Sequence, residues 1–298
     1  MTDLAVGPAE QLAGRLLKST ARQSYDPDVD IDWTAPPVAG KYWMQPERMS
    51  LYGTKLWDRL EEEQRIELSK HEVASIASVG LWFEVLLMQV LLRDVYDADP
   101  RSARTQWALT EIGDETRHSV MFGRALATMD MPAYGPRRKA RELARWGKGA
   151  LRGASAYSAI LIGEEPVDRW QRDLMRDERI QPLTRMVARI HVLEEARHVT
   201  FAQEELVRES KKLGRTERAF HQLVTAQAAL TTMRSLVHPD VYASVGLDPR
   251  EARIAALRNE HYRGTIAWMG EKIMPFLEEQ GMVGASQRKV WKASFLVP

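Results

Sequence analysis

The chain has 298 residues, with 42 Lys and Arg against 41 Asp and Glu, and its net charge of +1 gives no global field that would draw nucleic acid or a strongly charged partner. It has no cysteine, which excludes disulfides, thiolate metal sites and cysteine nucleophiles together. Any metal would have to be held by histidine and carboxylate, donors that suit iron, manganese or zinc.

Met1 to Gln23 show no apolar core like that of a signal peptide, so a cytoplasmic location is expected. Residues 1–50 are rich in Pro, Asp and Gly (Asp26 to Asp32, Pro36, Pro37, Gly40) and read as an irregular arm over one helical domain, 51–298. Strand signals are absent. Helical periodicity begins near Leu56 and runs to about Asp97, with a break expected near His71. Inside it, Val73 to Leu92 carry a single charge, Glu84. Length alone would allow a membrane span. Ser75, Ser78, Gly80 and Gln89 speak against one, as does the cost of roughly 3 kcal/mol for a carboxylate at mid-bilayer. The segment therefore reads as the central helix of a bundle, and no membrane span is expected.

Asp99-Pro100 resembles a cap followed by a first-turn proline, opening a helix over about Arg101 to Met129. Met131 to Gly135 form a turn, and the basic stretch from Arg137 to Lys148 reads as a solvated loop and helix start. An apolar helix follows over about Ala154 to Arg176, and Pro182 opens another that reaches about Lys212. Two more, near Thr216 to Val237 and Pro249 to Gln280, precede an irregular tail. The prediction is an all-α protein, a ferritin-like four-helix bundle core with additional flanking helices.

One four-residue pattern occurs twice, as Glu115-Thr116-Arg117-His118 and Glu195-Ala196-Arg197-His198. With 41 acidic residues and 7 histidines in 298, about one acidic-x-x-His pair arises by chance, so a single copy would mean little. Here both copies have Glu and Arg, and His191 lies one turn before the second. His191, Glu195 and His198 thus share one helical stripe. Two Glu-x-x-His helices, each paired with a glutamate from another helix, form the ligand set of di-metal carboxylate bundles.

The two partner glutamates should precede the motifs. Glu84 lies on a stripe with Ala77, Gly80, Leu81, Leu87, Met88 and Leu91, where a free carboxylate is strongly disfavoured. Glu164 shares an apolar face with Ile160, Val167 and Leu174, whereas Glu165 sides with Asp168 and Arg172 and reads as a surface ion pair. Pro166 removes one helical hydrogen bond, so a kink is expected there. The expected metal ligands are Glu84, Glu115, His118, Glu164, His191, Glu195 and His198, and no separate acid or base is assigned. Four carboxylates and two divalent ions sum to zero, so a loaded site can be buried and should add to stability. Glu111, four before Glu115, could be an eighth ligand or an outer acceptor. Asp114, Asp168, Arg117 and Arg197 are candidate outer groups. Aromatic and Met residues near the ligands (Trp82, Phe83, Phe122 and Trp170 among them) could line a pocket, though at helical spacing core packing is the commoner role.

With these residues the chain resembles the p-aminobenzoate N-oxygenase family, the AurF-like di-iron oxygenases. Glu84, Glu115 with His118, Glu164, and His191 with Glu195 and His198 follow that family's order of motifs. Ser50 to Thr54, Trp57 and Leu68 to Glu72 extend the likeness, which covers about Asp30 to Leu230. The resemblance implies a homodimer that binds two iron ions (Fe2+/Fe3+), with manganese as a possible substitute, and uses O2 to oxidise a small amine. An arylamine would become hydroxylamine, nitroso or nitro product through a peroxo di-iron species. Electrons would come from an external donor or reductase, since no flavin, nicotinamide or cluster motif is present. Two other readings share the architecture, namely a carbon hydroxylase or desaturase and a ferritin-like iron-binding ferroxidase.

Overall fold

Three of the four core helices open on a recognisable start signal, a capping box, a serine cap or a first-turn proline. The computed structural model describes residues 7–297. Helices α1 (Pro8–Arg22) and α2 (Pro27–Asp30) lead through a segment of turns and one short 3-10 helix (Pro46–Arg48) to α3 (Lys55–Asp58). The long α4 (Glu62–Val95) opens where Gln64 Oε1 accepts the Glu61 N–H at 3.0 Å, one half of a capping box. Ser102 caps α5 (Ala103–Thr128). The basic α6 (Arg138–Gly147) follows, and then α7 (Ala154–Leu174) and α8 (Pro182–Ser210), the latter with proline in its first turn. The chain closes with α9 (Arg215–Ser235), α10 (Pro249–Arg258), α11 (Glu260–Gly270), α12 (Ile273–Glu279) and α13 (Arg288–Ser294). No strand occurs among the described residues, only an isolated bridge between Tyr42 and Ile180.

The core is two helical hairpins, α4 with α5 and α7 with α8, which face one another through α5 against α8 and α4 against α7. This is the predicted bundle. Flanking helices cover it: α1 lies on α5 and α8, α9 and α11 lie on α7, and α13 lies on α9. By length and composition α4 could cross a membrane. Instead it forms a wall of the bundle, with Leu68, Val79, Phe83, Leu87 and Leu91 buried.

Four local expectations are corrected. α4 does not break at His71, whose ring bonds to Glu67 and Tyr134 from the outside while Leu68, Ser69, Glu72 and Val73 keep the buried stripe continuous. The arm is not irregular throughout: α1 buries Ala9, Ala13 and Leu16, and Glu10 accepts from Ser102 Oγ at 3.0 Å at the electropositive start of α5. The stretch from Pro249 to Gln280 is three helices, because Asn259 leaves helical geometry and its side chain caps His261 N at 3.1 Å. The tail contains α13, held by buried Trp291. At Pro166, α7 runs on without interruption.

Candidate metal centre

Glu84 comes from α4, Glu115 and His118 from α5, Glu164 from α7, and His191, Glu195 and His198 from α8. None of the seven is more than 2 % exposed. Their donor atoms lie within 4.8 Å of one another in four overlapping groups. These are Glu115 with His118, Glu195 and His198; Glu84 with His118 and His191; Glu164 with His191 and Glu195; and Glu84 with Glu115 and Glu164. The bundle therefore brings together all seven residues expected from sequence, and a pair of Glu-x-x-His units faces across its axis.

Outer partners turn each imidazole. His118 Nε2 donates to Glu194 Oε2 at 2.9 Å, and its Nδ1 faces Glu115 Oε2 at 3.0 Å and Glu195 Oε1 at 3.2 Å. His198 repeats this with Nε2 on Asp114 Oδ2 at 3.2 Å and Nδ1 on Glu195 Oε1 at 3.0 Å and Glu115 Oε1 at 2.9 Å. His191 is reversed. Its Nδ1 donates to Gln171 Oε1 at 2.7 Å, leaving Nε2 to face Glu84 at 3.4 Å and Glu195 at 3.7 Å. Each ring thus keeps one nitrogen toward the centre.

The outer bonds cross between the copies: Asp114 beside Glu115 holds His198, and Glu194 beside Glu195 holds His118. Arg117 pairs with Asp114 and lies 3.5 Å from Glu194, while Arg197 lies 3.7 Å from Glu194 and 4.0 Å from Asp114. The repeated unit is therefore five residues, acidic-Glu-x-Arg-His, and every fixed position in it has a role. Sequence reasoning named Asp114, Arg117 and Arg197 but missed Glu194 and Gln171. Extending the alignment of the two copies by one residue would have found Glu194, and nothing local marks Gln171.

Three of the weaker expectations separate. Glu165 is an ion pair, with Lys272 Nζ at 2.8 Å, but it is buried and not on the surface. Asp168 bonds Arg172 at 2.7 Å and none of the three histidines. Glu111 belongs to no donor group, and burial pushes its carboxyl up to about 8.

The donor set fits a pair of cations. Glu84 Oε2, Glu164 Oε1 and Glu195 Oε2 are buried without a hydrogen-bond partner, an arrangement a bound ion relieves. Protons supply the missing positive charge where no metal does. Burial, then the neighbouring carboxylates, raises Glu84 and Glu164 well above the carboxylate range. Against their own desolvation, Glu195 and Glu115 hold His198 charged, and bonds from Glu115 and Glu194 do the same for His118. Burial lowers His191 to about 4, so it stays neutral and ready to ligate. Divalent ions entering this centre would displace those protons.

Residues 8–281 match the family described as P-aminobenzoate N-oxygenase AurF. The chain belongs to this family. That makes it a member of an oxygenase family with a helical, ferritin-like di-iron fold. It is 30% identical over 234 residues to the uncharacterized protein Rv0885 of Mycobacterium tuberculosis, a match covering 76% of this chain and 67% of the relative. The same figures hold for the uncharacterized protein Mb0909 of Mycobacterium bovis.

An apolar cavity adjoins the AurF-family centre on the side of Glu84, Glu164 and His191. Phe83, Phe122 and Trp170 line it, as the pocket reading allowed, while Trp107 and Phe201 pack together on the other side of His198.

Proposed function

We propose that this chain is a di-iron, O2-dependent oxygenase that oxidises the nitrogen of a small amine, most directly an arylamine. Glu84, Glu115, His118, Glu164, His191, Glu195 and His198 would hold two iron ions, and manganese suits the same donors. Bound iron supplies the electron transfer and oxygen activation that no side chain here can provide. The protein's part is positioning. Glu194, Asp114 and Gln171 fix which imidazole nitrogen faces inward, and the bundle excludes bulk water. The observation that carries the reading is the convergence of four buried carboxylates and three histidines in a member of the N-oxygenase family.

The apolar cavity beside Glu84 and Glu164 favours a substrate-using enzyme over an iron store, because a route for hydrated iron calls for charged walls and this one is mostly apolar, with no charged residue beyond the expected ligands. Electrons would come from an external donor. A homodimer accounts for the outer face of α4 and α5, where Val85, Leu92, Leu109 and Val120 are all exposed. On that reading Val120→Asp yields a monomer in sedimentation, and an unchanged oligomer would reject this face as the interface.

The test is metal counting followed by turnover. Wild type should hold two irons per chain, and Glu195→Ala or His198→Ala should lose at least one. One zinc and no iron in wild type would overturn the reading. Reduced protein given 18O2 and a panel of arylamines should place label on nitrogen; label on carbon alone would move the assignment to hydroxylation.

A further inference from the structure

The cavity beside the centre holds about 60 Å3 of free volume. An apolar cavity that accepts benzene needs about 150 Å3, so no aromatic ring fits there as the side chains stand. A second space of about 480 Å3 lies outside it, walled by α4, α6, α7 and α9 through Trp82, Leu86, Leu143, Ile160, Val224 and Gln227. The two spaces share two wall residues, Phe83 and Thr232. Phe83 is the residue before Glu84, and its ring lies against α7 at Gly163, the residue before Glu164. A Cβ on Gly163 would stand 2.0 Å from Phe83 Cζ, so the absence of a side chain there is what gives the ring its slot. The ring sits between the outer groove and the inner cavity, beside two expected ligands. Turning it toward the larger outer space would merge the two volumes.

The chemistry of the walls is as restrictive as their size. No Lys or Arg lines either space, and the outer groove has no ionisable residue at all. In the inner cavity the polar groups away from the carboxylates and His191 are neutral: Gln171, Thr184, Thr232 and the Trp170 indole. A carboxylate-bearing amine would lose its water here without gaining a Lys or Arg counter-ion.

We propose that the outer groove is the entrance and tail subsite for substrate, that Phe83 is its gate, and that the substrate is an uncharged, largely apolar amine, not an aminobenzoate. The assignment of an amine rests on the function proposed above; the groove, the gate and the exclusion of anions do not.

Equilibrium and stopped-flow binding to the full iron-loaded chain tests this without turnover, using 4-aminobenzoate and a series from aniline to 4-butylaniline. Affinity should rise roughly fourfold for each methylene that enters the groove. 4-Butylaniline should bind at least tenfold tighter than 4-aminobenzoate. Phe83→Trp should slow association at least tenfold, and Phe83→Ala should speed it. Leu143→Lys, on the half-exposed face of α6, adds a cation to the groove and should improve binding of 4-(4-aminophenyl)butanoate while leaving 4-butylaniline less well bound. The proposal is overturned if 4-aminobenzoate matches its neutral analogues, or if association is the same in wild type and both Phe83 variants. Gated binding of neutral amines without any nitrogen oxidation would instead reject the enzymatic assignment and leave the groove standing.

Discussion

The two hairpins of the bundle carry the same five-residue unit, yet they differ one turn upstream of it. Where α8 has His191, α5 has Glu111. Burial leaves both groups neutral near pH 7, the imidazole because its basicity falls to about 4 and the carboxyl because its acidity falls to about 8. Their surroundings then separate them. His191 has Gln171 to accept its Nδ1 proton and direct Nε2 inward, while neither oxygen of Glu111 has a hydrogen-bond partner. A repeat at the level of sequence thus becomes an asymmetric centre, with the extra nitrogen donor on the side of the apolar cavity. Symmetry assembles the shared half of the candidate centre, and the departure from symmetry faces the apolar cavity.

The largest effects should come from the crossed outer bonds, because each ties one half to the other. Asp114→Asn and Glu194→Gln should each weaken iron retention by roughly 10–100-fold, as loss of an outer partner to a ligating histidine usually does. Chelator competition measures this. Glu194 makes the shorter bond, 2.9 Å against 3.2 Å, and also accepts the Tyr25 backbone N–H of the arm at 3.2 Å, so its variant should lose more. Equal losses would mean that the halves are equivalent at this level. Wild-type retention in both variants would remove the crossed bonds from the account altogether.

A second asymmetry lies in α4, whose buried Glu72 has no counterpart on α7, where no acidic residue precedes Glu164. Glu72 accepts from Ser50 N at 3.0 Å and from Ser50 Oγ at 2.5 Å, and that hydroxyl also meets Tyr242 Oη at 2.9 Å. Burial still outweighs these bonds and pushes the carboxyl up to about 7 from its ordinary 4.5. The folded chain therefore binds more protons than the unfolded one between those values, so stability declines as pH rises from about 4.5 to 7 and levels off above. Glu72→Gln keeps the shape and removes the titration. Its melting temperature relative to wild type should climb between pH 5 and pH 7.5, and parallel curves would show that Glu72 is not the group responsible.

How much of this was legible in the sequence follows from the range of each interaction. Five of the seven expected ligands obey i, i+3, i+4 and i+7 rules within single helices, and the two partner glutamates announce themselves as charges on apolar stripes. Glu194 is marked in sequence only by extending the repeat one residue, and packing between helices then shows that it grips His118 while Glu111 stays isolated. Gln171 was invisible because its partner lies on a different helix. The breaks at Asn259 and Lys272 were missed because the apolar periodicity of Pro249 to Gln280 continues across a capping residue that local hydrogen bonding uses to restart the helix. Helix α1 was missed because the Pro, Asp and Gly that fill residues 26–40 coloured the reading of the fifteen-residue amphipathic stretch before them.

The smallest effects should come from a pair of glycines, one on each helix that supplies a lone glutamate. Gly80 on α4 lies one turn before Glu84, and a Cβ there would meet Phe122 Cε2 at 3.5 Å, an ordinary contact. Gly80→Ala should stabilise the chain by about 0.5–1 kcal/mol, the helical cost of glycine that alanine removes. Gly163→Ala removes the same backbone cost but drives a methyl into the Phe83 ring, and overpacking of this kind costs about 1–3 kcal/mol. The net result should be a loss of up to about 2 kcal/mol, measured by urea denaturation with unchanged m-values. The double variant Gly163→Ala with Phe83→Leu separates the two terms: a smaller branched side chain makes room, so stability should recover relative to Gly163→Ala alone. If Gly80→Ala and Gly163→Ala shifted stability in the same direction, the close approach of α4 and α7 at Phe83 would not be what requires glycine beside Glu164.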